Sequence, residues 1–177
     1  MRSAKVAGLF MAVAVCLLMP LAARAQESGA SAGKGFLVEG GVGYAEFVDS
    51  PPIQHSTVTF GGRVYISRRV AIGPEFSWMR GPGIDRDTFL TGNVTIDLRA
   101  APTAASSPVF VPYIVAGAGF MSNTSQVGTG PYTSGEGAWT VGAGARIAPA
   151  RNWYIAPELR LGWELHWRTA LMVGFRR

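Results

Sequence analysis

From Asn152 to Glu164 the side chains keep a strict period of two. Trp153, Ile155, Pro157, Leu159, Leu161 and Trp163 take the odd positions, and every charge in the run (Glu158, Arg160, Glu164) falls on an even one. A β-strand points successive side chains to opposite faces, so one face here is oily and the other charged. Helical spacing would not give this pattern, and a strand buried on both faces would be apolar on both. Tryptophan closes the oily side at each end, as in strands that cross a bilayer between two interfaces.

Seven further segments read as strands. The first runs from Lys34 to Phe47, with Phe36, Val38, Val42 and Tyr44 opposite Glu39, Gly41, Gly43 and Ala45. The second sets Val58, Phe60, Val64 and Ile66 against Thr57, Thr59, Gly61, Arg63 and Tyr65. In the third, Val70, Ile72, Pro74, Phe76 and Trp78 oppose Ala71, Gly73, Glu75 and Ser77. The fourth opposes Leu90, Val94, Ile96 and Leu98 to Thr91, Asn93, Thr95, Asp97 and Arg99. The fifth, Val109 to Met121, is apolar on both faces, which leaves its phase open. The sixth sets Trp139, Val141 and Ile147 against Thr140, Gly142, Gly144 and Arg146, and the last sets Trp167, Leu171, Val173 and Phe175 against Arg168, Ala170, Met172 and Gly174.

The connections alternate in length. Ser67 to Arg69 and Ala148 to Arg151 are short, and Ala100 to Pro108 is moderate. Asp49 to Ser56, Arg80 to Asp87 and Ser122 to Glu136 are longer and rich in turn-forming residues. The predicted fold is all-β, an eight-stranded antiparallel up-and-down transmembrane β-barrel with short turns at one end and longer loops at the other. A fourth loop between Trp163 and Trp167 is almost absent. Pro74, Pro112 and Pro157 each forfeit a ladder hydrogen bond, so local irregularity is expected at each. Arg63, Pro74 and Glu75 recur as Arg146, Pro157 and Glu158 at a constant offset of 83, which fits either a duplicated half or convergence on one hairpin template.

The start of the chain bears on where such a barrel would sit. Arg2 and Lys5 precede an uncharged stretch from Val6 to Met19, Pro20 breaks it, and Ala23-Arg24-Ala25 supplies the small residues of a cleavage site. Residues 1–25 therefore read as a signal peptide rather than a retained anchor, 26–33 as a flexible lead-in and 34–177 as the barrel domain. Cys16, the only cysteine, lies inside the apolar stretch and not at its end, which argues against a lipoprotein. Cleavage leaves a chain without cysteine, so disulfides and thiolate chemistry drop out together. It also removes Arg2, Lys5 and Arg24, lowering the formal charge from +5 to +2, which gives no footprint for nucleic acid.

If the oily faces meet lipid, the other faces line the barrel. They collect Glu39, Glu75, Asp97, Glu158 and Glu164 against Arg63, Arg99, Arg146, Arg160 and Arg168. Eight strands leave an interior just wide enough for side chains to fill it. Balanced charges survive burial there when paired, and the arginine fork suits such pairing. The expectation is a salt-bridged plug, not a water-filled pore. The glycines at 41, 43, 61, 73, 142 and 144 are expected to make room for the long arginines.

The chain resembles the small eight-stranded outer-membrane barrels of the OmpA/OmpX-like type. The resemblance covers Gly35 to the C-terminus and rests on the order and spacing of Gly73-Pro74-Glu75-Phe76-Ser77-Trp78, Val111-Pro112-Tyr113, Gly117-Ala118-Gly119-Phe120, Val141-Gly142-Ala143-Gly144 and Ala156-Pro157-Glu158-Leu159-Arg160. It implies a cell outer-membrane location, a periplasmic N-terminus, loops outside and no catalysis. It also implies outer-membrane lipid and lipopolysaccharide as surroundings, the barrel-assembly machinery as a partner, and a monomer. Members commonly end on an aromatic residue that this machinery reads, whereas here Phe175 is followed by Arg176 and Arg177.

Sharper chemistry finds little footing. Gly33-Lys34-Gly35 lacks the strand–turn–helix setting of a nucleotide site. His55 and Ser56 adjoin each other on an expected loop with no carboxylate evident to orient the histidine, and His166 is expected at the membrane interface. Two histidines more than 100 residues apart make a weak metal case, and the arginines make structural pairing the better reading of Glu158 and Glu164. No catalytic, cofactor-binding or metal residue is assigned. The functional expectation is a non-enzymatic barrel with a closed interior and a structural or surface-interaction role. The alternatives are a lipid A acyl-modifying enzyme and a narrow conduit for small apolar solutes.

Overall fold

The computed structural model describes residues 35–48, 51–99, 110–148 and 152–177. The expected signal peptide and lead-in, Lys34, Asp49 and the connections at 100–108 and 149–151 lie outside them. Eight strands follow in chain order: β1 (Phe36–Phe47), β2 (Ile53–Tyr65), β3 (Val70–Arg80), β4 (Arg86–Asp97), β5 (Phe110–Val127), β6 (Gly130–Ile147), β7 (Trp153–Gly162) and β8 (His166–Arg176). Each pairs antiparallel with the next, and β8 pairs with β1, from Leu37 opposite Arg176 to Phe47 opposite His166. Closure leaves no sheet edge without a partner, which is what a bilayer demands of a β-structure.

The alternation has the predicted phase. Val38, Val42, Phe60, Val64, Leu90, Val141, Leu159, Leu171 and Val173 stand on the outside, while Glu39, Arg63, Glu75, Glu158, Arg160 and Arg168 are buried inside. An outer surface this apolar is at home in lipid and a hazard in water. Aromatic rings gather towards both rims. Trp153 and Phe36 pack against Phe175 near the chain termini, at 5.4 and 6.5 Å between centroids. Tyr44 meets Trp167 at 5.3 Å near the opposite mouth. The open phase of the fifth strand is resolved: Val111, Tyr113, Val115 and Met121 point inward, and Phe110, Ile114 and Phe120 outward.

Two proline positions interrupt the ladder as expected. Pairing between β2 and β3 skips from Gly61–Glu75 to Val64–Ile72, across Pro74. Pairing between β6 and β7 skips from Gly144–Glu158 to Ile147–Ile155, across Pro157. The two gaps are related by the same offset of 83 as the sequence similarity. At Pro112 the register runs on through Val111–Arg146 and Pro112–Ala145, so that expectation fails, and the Pro112 carbonyl still accepts from Leu98 N at 2.9 Å.

The predicted loop from Ser122 to Glu136 is mostly strand. β5 and β6 are each 18 residues long and stay in register to Val127–Gly130. Gly128, at φ 61°, provides the positive-φ corner of the two-residue turn. A crossing strand needs only about 9–11 residues, so the outer part of this hairpin projects beyond the membrane. Its polar composition suits water on both faces, and Thr124 and Thr133 bond across it at 3.0 Å.

Candidate functional site

The lumen is filled by side chains in layers. Midway along β3, Glu75 receives three arginines. Its Oε2 accepts from Arg63 Nη2 at 3.1 Å and from Arg160 Nη2 at 2.6 Å, and its Oε1 accepts from Arg168 Nη2 at 2.9 Å. Arg160 also donates through Nε to Glu158 at 2.6 Å, and Arg63 forms an ion pair with Glu39. Hydroxyls and an amide take up further donors: Arg160 Nη1 reaches Asn93 and Thr140 at 3.3 and 3.4 Å, and Arg168 Nη1 reaches Thr59 at 3.3 Å and also Ser77. Charge buried this deeply costs several kcal/mol per ion unless partners surround it. Glu75 is surrounded by opposite charge.

Tyrosines complete the layer. Tyr113 donates to Glu158 at 2.8 Å and Tyr154 to Glu39 at 2.7 Å. Nearer the chain termini, Asp97 accepts from Arg146 at 2.5 Å and from Tyr65 at 2.7 Å, and the Arg146 guanidinium lies 4.4 Å from the Tyr113 ring centroid. Towards the opposite mouth, Ala45, Phe47, Met79, Phe89, Met121 and Ala138 form a buried apolar cluster.

Eight of the ten charges predicted for the lumen lie there. Glu39, Arg63, Glu75, Glu158, Arg160 and Arg168 form one network, and Asp97 and Arg146 form a second group. Arg99 and Glu164 do not join them. β4 ends at Asp97, so alternation no longer governs Arg99, which is exposed. Glu164 sits in the turn after β7 at φ 55° and is also exposed. One acid and one base thus leave the expected set together, and its balance survives. The tyrosines were missed, although Tyr154 shares the even positions of Glu158 and Arg160.

Of the glycines expected to make room for arginines, Gly142 does so in part: a Cβ there would stand 2.3 Å from the Leu159 carbonyl oxygen and 2.6 Å from Arg160 Cγ. Gly144 instead clears the Tyr113 hydroxyl (2.5 Å), Gly41 clears both Met172 Sδ and the Leu171 carbonyl oxygen (2.5 Å each), and Gly43 and Gly73 make way for the neighbouring backbone. Around Gly61 a Cβ would meet only ordinary contacts, at 3.5 Å and beyond.

Both histidines differ from expectation. His55 belongs to β2, points inward and is 2 % exposed, whereas Ser56 is exposed on the other face, so the two cannot act as a pair. Carboxylates are present after all: Asp85 Oδ2 and Asp87 Oδ2 each lie 3.2 Å from His55 Nε2. Burial pushes the Asp85 carboxyl above its usual range, opposed by His55 and reinforced by Asp87. His166 is buried inside the barrel, not at the interface. Its Nδ1 lies 2.6 Å from the Trp163 carbonyl, and its ring packs on Phe47 and Phe89.

Residues 11–168 match the family described as outer membrane protein beta-barrel domain. The chain belongs to this family. It is accordingly a protein of the cell outer membrane, seated there by the apolar outer face described above. No curated protein matches the sequence. Among solved structures, the barrel resembles the N-terminal beta-barrel domain of Pseudomonas aeruginosa OprF (13 % identity, 83 % of this chain and 100 % of that one, TM-score 0.61). It is also similar to Neisserial surface protein A (12 % identity, 80 % and 95 % covered, TM-score 0.64). The attachment invasion locus protein Ail of Yersinia pestis aligns as well (13 % identity, 81 % and 99 % covered, TM-score 0.53). At these identities the likeness to individual structures is one of fold.

Proposed function

We propose that this outer-membrane barrel is non-enzymatic, that its lumen is closed by a salt-bridged plug, and that it serves a structural or surface-interaction role. The observation that carries the reading is Glu75, 3 % exposed and bonded to Arg63, Arg160 and Arg168 at once. These three arginines come from β2, β7 and β8, so one carboxylate ties together strands on several sides of the lumen. A continuous water column has no room beside such a cluster in an eight-stranded barrel. Lipid and lipopolysaccharide are its surroundings, the assembly machinery its route of entry, and the monomer its working state.

Swelling of proteoliposomes in an isosmotic small sugar tests the closed lumen. Vesicles carrying the barrel should swell no faster than protein-free vesicles, and rapid swelling would count against a plug. Lipid A mass spectra from cells with and without the protein test the non-enzymatic reading, which a changed acyl pattern would overturn.

A further inference from the structure

We propose that His55, Asp85 and Asp87 form a divalent-cation site at the mouth opposite the chain termini, independent of the closed lumen. Their donor atoms lie within 4.8 Å of one another, and both carboxylate oxygens stand 3.2 Å from the same ring nitrogen. Ligand atoms about 2.0–2.2 Å from a tetrahedral ion stand roughly 3.3–3.6 Å apart. The two nitrogen–oxygen pairs therefore already stand close to the spacing that a bound ion sets, and the two oxygens lie within 4.8 Å of each other.

His55 is 2 % exposed, and among the described residues neither of its ring nitrogens makes a hydrogen bond of good geometry. Both oxygens are at ion-pair distance from the same Nε2, which one N–H could serve only one at a time. Charge balance points the same way. One imidazolium facing two carboxylates leaves a net negative charge in a largely buried place, whereas a dication with neutral imidazole leaves none.

The surroundings are built around these donors. Asn123 Nδ2 donates to the other oxygen of Asp87 at 2.6 Å and fixes the carboxylate's orientation, the role that outer-shell groups play at metal centres. Asp85 is brought over the mouth by a tight turn, in which Gly81 N bonds to Asp85 O at 3.0 Å and Asp85 N to Pro82 O at 3.1 Å. A Cβ at Gly81 would stand 2.6 Å from His55 Nε2 and 2.8 Å from Asp85 Oδ2. Glycine there leaves space beside the donors for a fourth ligand such as water. The Asp85 side chain is 16 % exposed, so an ion reaches the site from solvent.

One imidazole and two carboxylates form a nitrogen–oxygen set without thiolate, which suits Zn²⁺ and related divalent transition ions over soft cuprous ion. The probe is Zn²⁺ alone, titrated calorimetrically into untagged barrel purified from outer membranes and stripped with chelator. One ion per chain is expected. His55→Gln and Asp85→Asn should each weaken binding by more than the roughly 10–100-fold that loss of an outer-shell partner causes, and Asn123→Ala should fall within that range. Heat-dependent gel mobility reports that each variant is folded. Asp85 lies on the turn outside the strands, so its variant answers even if the His55 variant fails to fold. No saturable binding by the parent barrel, or unchanged binding in folded Asp85→Asn, would overturn the site.

Discussion

Arg160 Nη2 donates to Glu75 Oε2 at 2.6 Å, joining β7 to β3 across the barrel and linking positions 85 residues apart. β3 and β7 stand on opposite sides of an eight-strand ring, so the bond spans the lumen instead of running along its wall. Glu158, the carboxylate 83 residues after Glu75, holds the Nε side of the same guanidinium.

Glu75→Gln should therefore be costly. It leaves three buried guanidiniums short of a counter-charge, and breaking a buried pair in this way costs about 3–5 kcal/mol. Urea unfolding in lipid vesicles would read the loss. A double-mutant cycle with Arg160→Gln should give a coupling of about 1–3 kcal/mol, as for residues in one network.

The outer face responds to charge, not to pairing. Leu159 is 52 % exposed and lies between the inward-pointing Glu158 and Arg160. Leu159→Arg should destabilise the vesicle-embedded barrel by roughly 2–4 kcal/mol, the cost of arginine near the bilayer midplane. A negligible change would mean that this face does not meet lipid.

Two glycines should behave oppositely. Gly142→Leu drives a side chain into the β7 backbone at Leu159 and into Arg160, and should abolish the heat-modifiable folded form. Gly61→Ala meets only ordinary contacts, at 3.5 Å and beyond, and should fold with stability equal to the parent or slightly higher, since glycine in a strand costs about 0.5–1 kcal/mol relative to alanine.

The β5–β6 hairpin should accept insertions at its tip. Gly128 and Thr129 are exposed, and beyond the membrane their neighbours pair only with each other. A short epitope inserted between them should leave outer-membrane yield unchanged and be reached by antibody on intact cells. Labelling only after the outer membrane is breached would reverse the barrel's orientation.

Much of this fold is legible in the sequence because lipid outside and packed charge inside each impose a period of two. Any strand with a charge on one face has only one tolerable phase, as in β7, where Glu158 and Arg160 fix it. β5 carries no charge from Phe110 to Val127, so its phase emerged only from pairing with β4 and β6. Past the membrane the rule lapses. The Ser, Thr and Asn residues of the β5–β6 extension resemble loop, yet they pair because hairpin register needs no apolar face. Arg99 and Glu164 were misplaced by carrying alternation beyond the last paired residue. His55 was obscured by Pro51 and Pro52, which resemble a loop while β2 starts directly after them. Its meeting with Asp85 and Asp87 is set by the register of β2, β3 and β4 and by the tight turn at 81–85.

Single-channel recording in planar bilayers, comparing the parent barrel with Glu75→Ala under the same voltage, tests the plugged lumen most directly. The parent should be silent, and the variant, with its three-arginine hub broken, should show openings. A large, stable conductance from the parent barrel would contradict a lumen closed by its own charges.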